Sequence, residues 1–173
     1  MRLIKRITDS DFMGGAPVWI DKVSRYGSRG VLVDGEMNVA MMYMAKTKLY
    51  KLPGGGVDEG EDRQAAFLRE IKEETGYEAE IVHELGYIEE HKNRNQFMQY
   101  SYCFIAKACK KGVTMLSENE ARLGMETRWM PLDQALEAMN NSARNCEEYS
   151  AKFMILRDKT ILEKAMEFFS TKL

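Results

Sequence analysis

Between residues 53 and 77 the chain runs from Pro53 through Gly54, Gly55 and Gly56 to Glu61, and then to Arg69-Glu70-Ile71-Lys72-Glu73-Glu74-Thr75-Gly76-Tyr77. A glycine run takes backbone dihedrals that other residues avoid and lets main chain approach a neighbour closely. Glu70, Glu73 and Glu74 recur at spacings of three and four, so a helix places them on one face. Asp62 is the predicted N-cap and Gly76 the predicted stop. Phe67, Leu68 and Ile71 form the predicted core-facing side, and Ala65 and Ala66 permit close packing on a sheet. Ionised carboxylates crowded on one face repel one another. Water can screen that at small cost, or a hard cation among them can turn it into a gain.

The flanking segments supply strands. Residues 29–34 (Arg-Gly-Val-Leu-Val-Asp) read as a buried strand, turning at residues 35–38 into a second apolar run at 39–44. Leu49 to Leu52 leads into the glycines. After the helix, Ala79, Ile81, Leu85 and Tyr87 recur at even spacing and predict a half-buried strand, with His83 at its core edge. Residues 91–96 read as a polar turn, where His91 and Arg94 could meet a phosphate but are expected simply to be exposed. Phe97 to Ala108 returns as an apolar strand. Toward the N-terminus, Leu3 to Ile7 suggests a short strand, Asp9 to Gly15 a loop, and Val18 to Tyr26 a further strand. Residues 110–126 read as loop and Thr127 to Met130 as a short strand. Leu132, Ala135, Leu136 and Met139 mark an amphipathic helix, Asn140 to Asn145 a break, and Glu147 to Phe169 a last helix. Phe153, Leu156, Ile161, Leu162, Met166 and Phe169 give that helix a wide apolar face, which suits a core and leaves a homodimer contact open.

With 173 residues, no internal repeat and no linker, the expectation is a single domain spanning 1–173. A net charge of −2 supplies no overall basic field for nucleic acid, and short lysine clusters (Lys46, Lys48, Lys51; Lys107, Lys110, Lys111) read as solvated strand ends. Cys103, Cys109 and Cys146 have no metal-ligand spacing and are expected as reduced thiols. The N-terminus lacks the apolar core of a signal peptide, and no apolar run is long enough to span a bilayer, so a cytoplasmic location is expected.

Clustered carboxylates without a nearby histidine or cysteine select Mg²⁺ or Mn²⁺ over zinc or copper. Such an ion binds phosphate oxygens as readily as carboxylates, which suits attack by water at phosphorus.

The whole stretch, Gly55, five residues, Glu61, seven residues, Arg69-Glu70-Ile71, one residue, Glu73-Glu74, one residue, Gly76-Tyr77, resembles the box of the Nudix hydrolase family from end to end. Its seven fixed identities would coincide by chance with a probability on the order of 10⁻⁶. One departure is Tyr77, where the family usually carries an aliphatic residue; it bears on packing rather than chemistry.

The resemblance covers roughly Tyr26 to Leu136. It implies an α/β fold, an α/β/α sandwich around a mixed sheet. It implies metal-dependent hydrolysis of a nucleoside diphosphate linked to another moiety, X, and so a small-molecule nucleotide substrate. Carried over by residue, Glu70, Glu73 and Glu74 are the implied metal ligands, with the carbonyl of Gly54 as a backbone ligand. Arg69 is implied to orient the glutamates. Glu61 is implied either to support the box or to hold a metal through water, with Gly55 and Gly76 as fixed motif positions. The general base varies in the family; besides a box glutamate, Glu118 and Glu120 are candidates here, with Glu120 preferred. Two rival readings are a nucleotide or nucleotide-sugar sensor without catalysis and an RNA 5′-end pyrophosphohydrolase. Markers for particular substrates are missing: no proline lies between Pro53 and Pro131, and no coenzyme A signature precedes the box. A base could stack on Tyr43, Tyr87, Tyr102 or Trp129.

Overall fold

The structure is a computed structural model that describes residues 1–172. Its strands are β1 (Leu3–Thr8), β2 (Arg25–Val33), β3 (Asn38–Met44), β4 (Leu49–Lys51), β5 (Gly54–Gly56), β6 (Tyr77–Lys92), β7 (Phe97–Lys111) and β8 (Met125–Pro131). The helices are α1 (Ser10–Met13), α2 (Arg63–Thr75), α3 (Glu118–Arg122), α4 (Leu132–Asn145) and α5 (Tyr149–Lys172).

All eight strands join one mixed sheet in the order β1-β6-β7-β2-β3-β4, with β5 added to β2 and β8 to β3. The β1/β6 and β2/β7 pairs are parallel; the others are antiparallel. Strand β2 is the branch point. Its first half pairs with the glycines of β5, Gly27 opposite Gly56 and Arg29 opposite Gly54, while only its last residue, Val33, pairs with β3. The sheet therefore opens between β5 and β3.

Alternation along the central strands sends side chains to two layers. Val31, Val33, Cys103 and Ile105 face α4 and α5 and pack with Met139, Phe153, Ile161 and Leu162. Leu32, Phe104 and Ala106 face α2 and pack with Phe67 and Ile71. The result is the expected α/β/α sandwich around a mixed sheet. In α5, Phe153, Ile161 and Leu162 are fully buried, and Leu156 and Phe169 pack against the same core. No helix among the described residues is long and apolar enough to cross a membrane.

Helix α2 starts and stops where its sequence says. The Asp62 carboxylate accepts from the N–H groups of Gln64 and Ala65, and Gly76 closes the helix at φ 79°. Elsewhere tertiary contacts override local signals. The expected loop at Asp9–Gly15 holds the short helix α1, and of the strand expected at Val18–Tyr26 only Arg25 and Tyr26 are strand, as the start of β2; residues 18–24 are irregular, with a bend at Lys22. The expected loop at 110–126 contains α3, closed by a capping box between Ser117 and Glu120. The expected break at Asn140–Asn145 is helical, because Ser142 is buried and Asn145 Nδ2 donates to the Asn141 carbonyl at 2.9 Å. His91 lies within the last two residues of β6 rather than opening a turn. It is buried, accepts from the Ile20 N–H through Nδ1 at 2.9 Å, and meets Glu89 through Nε2 at 3.0 Å. His83 lies exposed over the Phe168 ring, centroids 4.2 Å apart. The three cysteines are free thiols, and burial pushes Cys103 up to about 12.

Candidate active site

The glycine strand lies directly on the acidic helix face. A Cβ at Gly55 would run into the Glu70 carboxylate, and Gly54 holds φ 146°, where side-chain-bearing residues are strained. Gly54 needs glycine for its backbone, and a side chain at Gly55 would displace the Glu70 carboxylate, so this contact ties β5 to α2.

Arg69 is the brace. Its Nε and Nη2 donate to the two oxygens of Glu61 at 2.8 and 3.0 Å. Its Nη1 reaches Glu70 Oε1 at 2.9 Å and Glu73 Oε2 at 3.3 Å, and Nη2 also reaches the Gly56 carbonyl at 2.9 Å. The planar guanidinium thus links loop, strand and helix, which a point charge could not. Its hydrogen bonds hold the Glu61 carboxyl below the usual range. Glu61 acts on Arg69 and on the Asp58 N–H, at 3.1 Å, rather than facing the other acids.

Glu70, Glu74 and Glu120 converge. One oxygen from each lies within 4.8 Å of the others, a spacing one hard cation with oxygen ligands at roughly 2.0–2.6 Å can bridge. Glu74 is 1% exposed; burial pushes its carboxyl up to about 7, against the opposing pull of Lys51. Its Oε2 accepts from the Gly54 N–H at 2.9 Å and its Oε1 from Lys51 Nζ at 2.7 Å. The same ammonium reaches the Gly54 carbonyl at 3.2 Å. Lys51 therefore touches two of the groups expected to hold a metal, and the donor set of carboxylate and carbonyl oxygens fits Mg²⁺ or Mn²⁺. Burial raises the Glu70 carboxyl. Glu120 goes the other way: burial opposes the shift, but hydrogen bonds from the Ser117 N–H, Glu74 and the Ser117 hydroxyl hold its carboxyl below the usual range. Glu73 stands outside this group of three, one-third exposed on the rim and tied to Arg69. Glu118 lies in the first turn of α3 and is exposed.

Lys51, Glu70, Glu73, Glu74, Glu120 and the glycines of β5 line one end of a cleft of about 740 Å³ between β5, α3, the start of α5 and the sheet, while Glu61, Arg69 and Glu118 lie outside its lining. Tyr43, Tyr87, Tyr102 and Trp129 do not line it. Tyr43 stacks with Tyr50 beneath Arg128, Trp129 meets Tyr77, and Tyr87 and Tyr102 gather with Tyr100 and Tyr26 on the α2 side. Sequence reasoning missed Lys51, which it grouped with solvated lysines, and Arg29, a charge inside a run that reads as a buried strand. That mismatch was the available signal for Arg29.

Residues 25–149 match the family model described as "NUDIX domain". A CMP-5'-(N-acetyl-N-hydroxy-3-aminopropyl)phosphonate hydrolase from Streptomyces rubellomurinus is 30% identical over 140 residues, 78% of this chain and 66% of that protein. An RNA pyrophosphohydrolase from Sphingopyxis alaskensis is 35% identical over 65 residues, 36% of this chain and 41% of that protein. The matched region thus spans less than two thirds of either relative. Among solved structures, a NUDIX hydrolase from Nitrosomonas europaea aligns with a TM-score of 0.64 at 15% identity, covering 87% of this chain and 91% of that one. A UDP-X diphosphatase aligns with a TM-score of 0.58 at 18% identity, covering 88% and 66%. At such identities the likeness speaks for the fold.

Proposed function

The chain belongs to the Nudix family, and from that premise we propose that it is a divalent-metal-dependent hydrolase splitting the phosphoanhydride of a nucleoside diphosphate linked to a second group X. The observation that carries this is the convergence of Glu70, Glu74 and Glu120 at the end of an open cleft, with Arg69 bracing Glu70.

Glu70, Glu74, Glu120 and the Gly54 carbonyl would hold the cation, with Glu73 at the rim near enough to join through water. A divalent cation held there would supply charge neutralisation for phosphate oxygens and would acidify a nearby water. The chain's own groups do the rest. Arg69 fixes Glu70 by a charge-assisted bond to Oε1, and among the described residues Oε2 has no hydrogen-bond partner. That free oxygen is placed to take a proton from water. Glu120 has Oε1 occupied by the Ser117 N–H at 2.8 Å, is also hydrogen-bonded to Glu74, and is held below the usual carboxylate range, whereas burial raises Glu70; we therefore assign Glu120 as a fixed anionic ligand and give the role of base to Glu70.

The test is a panel of sugar nucleotides, ADP-ribose, dinucleoside polyphosphates, nucleoside triphosphates and 5′-triphosphate RNA, with Mg²⁺ or Mn²⁺. Release of a nucleoside monophosphate, or of pyrophosphate from the RNA, is expected, and it should be abolished in Glu70→Gln. No turnover of any member by protein that binds metal would sink the reading, and nucleotide binding alone would make the chain a sensor.

A further inference from the structure

Beyond the carboxylate cage, the cleft is lined by cations: Arg25, Arg29, Lys92 and Arg157. Arg157 is matched within the protein. Its Nη1 meets Glu90 Oε2 at 3.1 Å and its Nε meets Asp158 Oδ1 at 2.7 Å. The other three are not matched. Among the described residues no carboxylate comes within ion-pair distance of Arg25, Arg29 or Lys92. Arg29 is 4% exposed, and its side chain makes one hydrogen bond, from Nε to Ser101 Oγ at 3.3 Å. A cation so enclosed is costly until an anion joins it. Beneath the wall, Glu90 Oε1 is buried without a hydrogen-bond partner; Glu90 and Asp158 pair directly with Arg157 and act on Arg29 through space, from beyond ion-pair distance. The carboxylate on this part of the wall, Glu148, accepts instead from the N–H groups of Ser150 and Ala151 at the start of α5.

The placement has a direction. Missing side chains make room for both guanidinium groups: a Cβ at Gly27 would lie 2.9 Å from Arg29 Nη2, and one at Gly56 3.0 Å from Arg25 Nη2. Those two cations therefore adjoin the glycine strand that ends at the cage. Lys92 is farther off. Strands β5, β2, β7 and β6 are successive neighbours, with Gly56, Gly27, Ser101 and Ile88 in one row, so Lys92 sits roughly 14 Å across the sheet from β5 and roughly 13 Å further along its strand. A diphosphate anchored at the cage leaves room for a sugar-sized group before the lysine. Burial lowers the Lys92 pKa, and the neighbouring charges of Arg157 and Arg29 add to that against the opposing pull of Glu90 and Glu148.

We propose that Arg25, Arg29 and Lys92 form a subsite for a second anion carried by X, a carboxylate or a phosphoryl group, so that the chain selects nucleoside diphosphates whose X is itself charged. This rests on the hydrolase reading above and narrows its substrate class. The test compares a nucleoside diphosphate hexose, the hexuronate that differs from it by a terminal carboxylate, and the hexose phosphate. One or both charged members should exceed the hexose in kcat/KM by about tenfold or more, mainly through KM. The ratio should fall to within about threefold in Lys92→Gln and in Arg25→Gln, two variants that avoid emptying the buried Arg29 position. The charged member that is favoured identifies the anion. Equal turnover of all three overturns the subsite and leaves the hydrolase reading standing. Failure to cleave any of them tells against the hydrolase reading, and calorimetric binding of the same three in Mg²⁺ then decides the subsite: a lysine-dependent preference for a charged member keeps it, equal or absent binding removes it.

Discussion

Lys51 Nζ lies 2.7 Å from Glu74 Oε1, and both side chains are enclosed, 12% and 1% exposed. The ammonium satisfies a carboxylate that would otherwise be a bare charge in the core. Removing one partner of such a pair leaves the other uncompensated, at a cost of about 3 kcal/mol. Lys51→Gln should lower the unfolding free energy by that order in EDTA and by clearly less in Mg²⁺, since the cation takes over the neutralisation. Denaturant titrations under both conditions check this; equal losses would rule out a shared role.

The same carboxylate sets a pH dependence. Burial raises Glu74 from 4.5 to about 7. Between those values the native state holds a proton that the unfolded chain has released. Its contribution to stability is complete below about 4.5 and is lost as pH rises through about 7, a change of about 3 kcal/mol. Metal-free protein should therefore weaken between pH 5 and pH 8 relative to Glu74→Gln, and saturating Mg²⁺ should remove the difference. Protons and metal compete for this oxygen, so the metal Kd at pH 6 should be about tenfold weaker than at pH 8.

What could be read in advance follows from where the information lies. Asp62, Gly76 and the three- and four-residue spacing of Glu70, Glu73 and Glu74 are local signals, and the helix follows them. Glu120 could be singled out as a candidate but not placed, because its approach to Glu74 depends on α3 folding back against the sheet opening. The local cue for that helix, Ser117 followed three residues later by Glu120, was present. Lys51 and Arg29 were harder. Nothing near residue 51 indicates an acid 23 residues later, and the environment of Arg29 is set by parallel pairing with β7, where it faces Cys103. Residues 18–24 alternate in part like a strand, but the Ile20 N–H goes to a side chain, His91, and only Ser24, at the mouth of β2, bonds to the β7 backbone through the Met98 carbonyl.

Two glycines should respond differently to alanine. A Cβ at Gly30 would enter the Phe104 carbonyl of the neighbouring strand, and paired backbone cannot step aside. Gly30→Ala should destabilise by about 3 kcal/mol or fail to fold. At Gly55 the obstacle is the Glu70 side chain, which can rotate away. Gly55→Ala should fold, with its melting point little changed, yet lose metal affinity. Calorimetric metal titration and thermal unfolding, taken together, separate the two outcomes.

Arg69→Lys keeps the charge and loses the fork. One ammonium cannot bridge both Glu61 oxygens, Glu70, Glu73 and the Gly56 carbonyl at once. Activity should drop about 10- to 100-fold, in line with the loss of groups that orient metal ligands. The loss should appear with unchanged circular dichroism, because Asp62 and Gly76 still bound the helix. Activity within twofold of wild type would mean that the glutamates are positioned without the brace.

The division of labour between Glu70 and Glu120 is the sharpest case, because the two acids share one cage and differ in their hydrogen bonds. Glu120→Gln retains an oxygen for the Ser117 N–H, so α3 stays capped while the cage loses one negative charge. Its metal affinity should fall about 10- to 100-fold, and saturating Mg²⁺ should restore most of kcat. Glu70→Gln keeps an oxygen for Arg69 but no longer accepts a proton from water. Its kcat should drop by about 10² to 10⁴ and stay low at any metal concentration. Rate against Mg²⁺ concentration distinguishes the two variants. Rescue of Glu70→Gln by metal, with Glu120→Gln unrescued, would exchange the assignments.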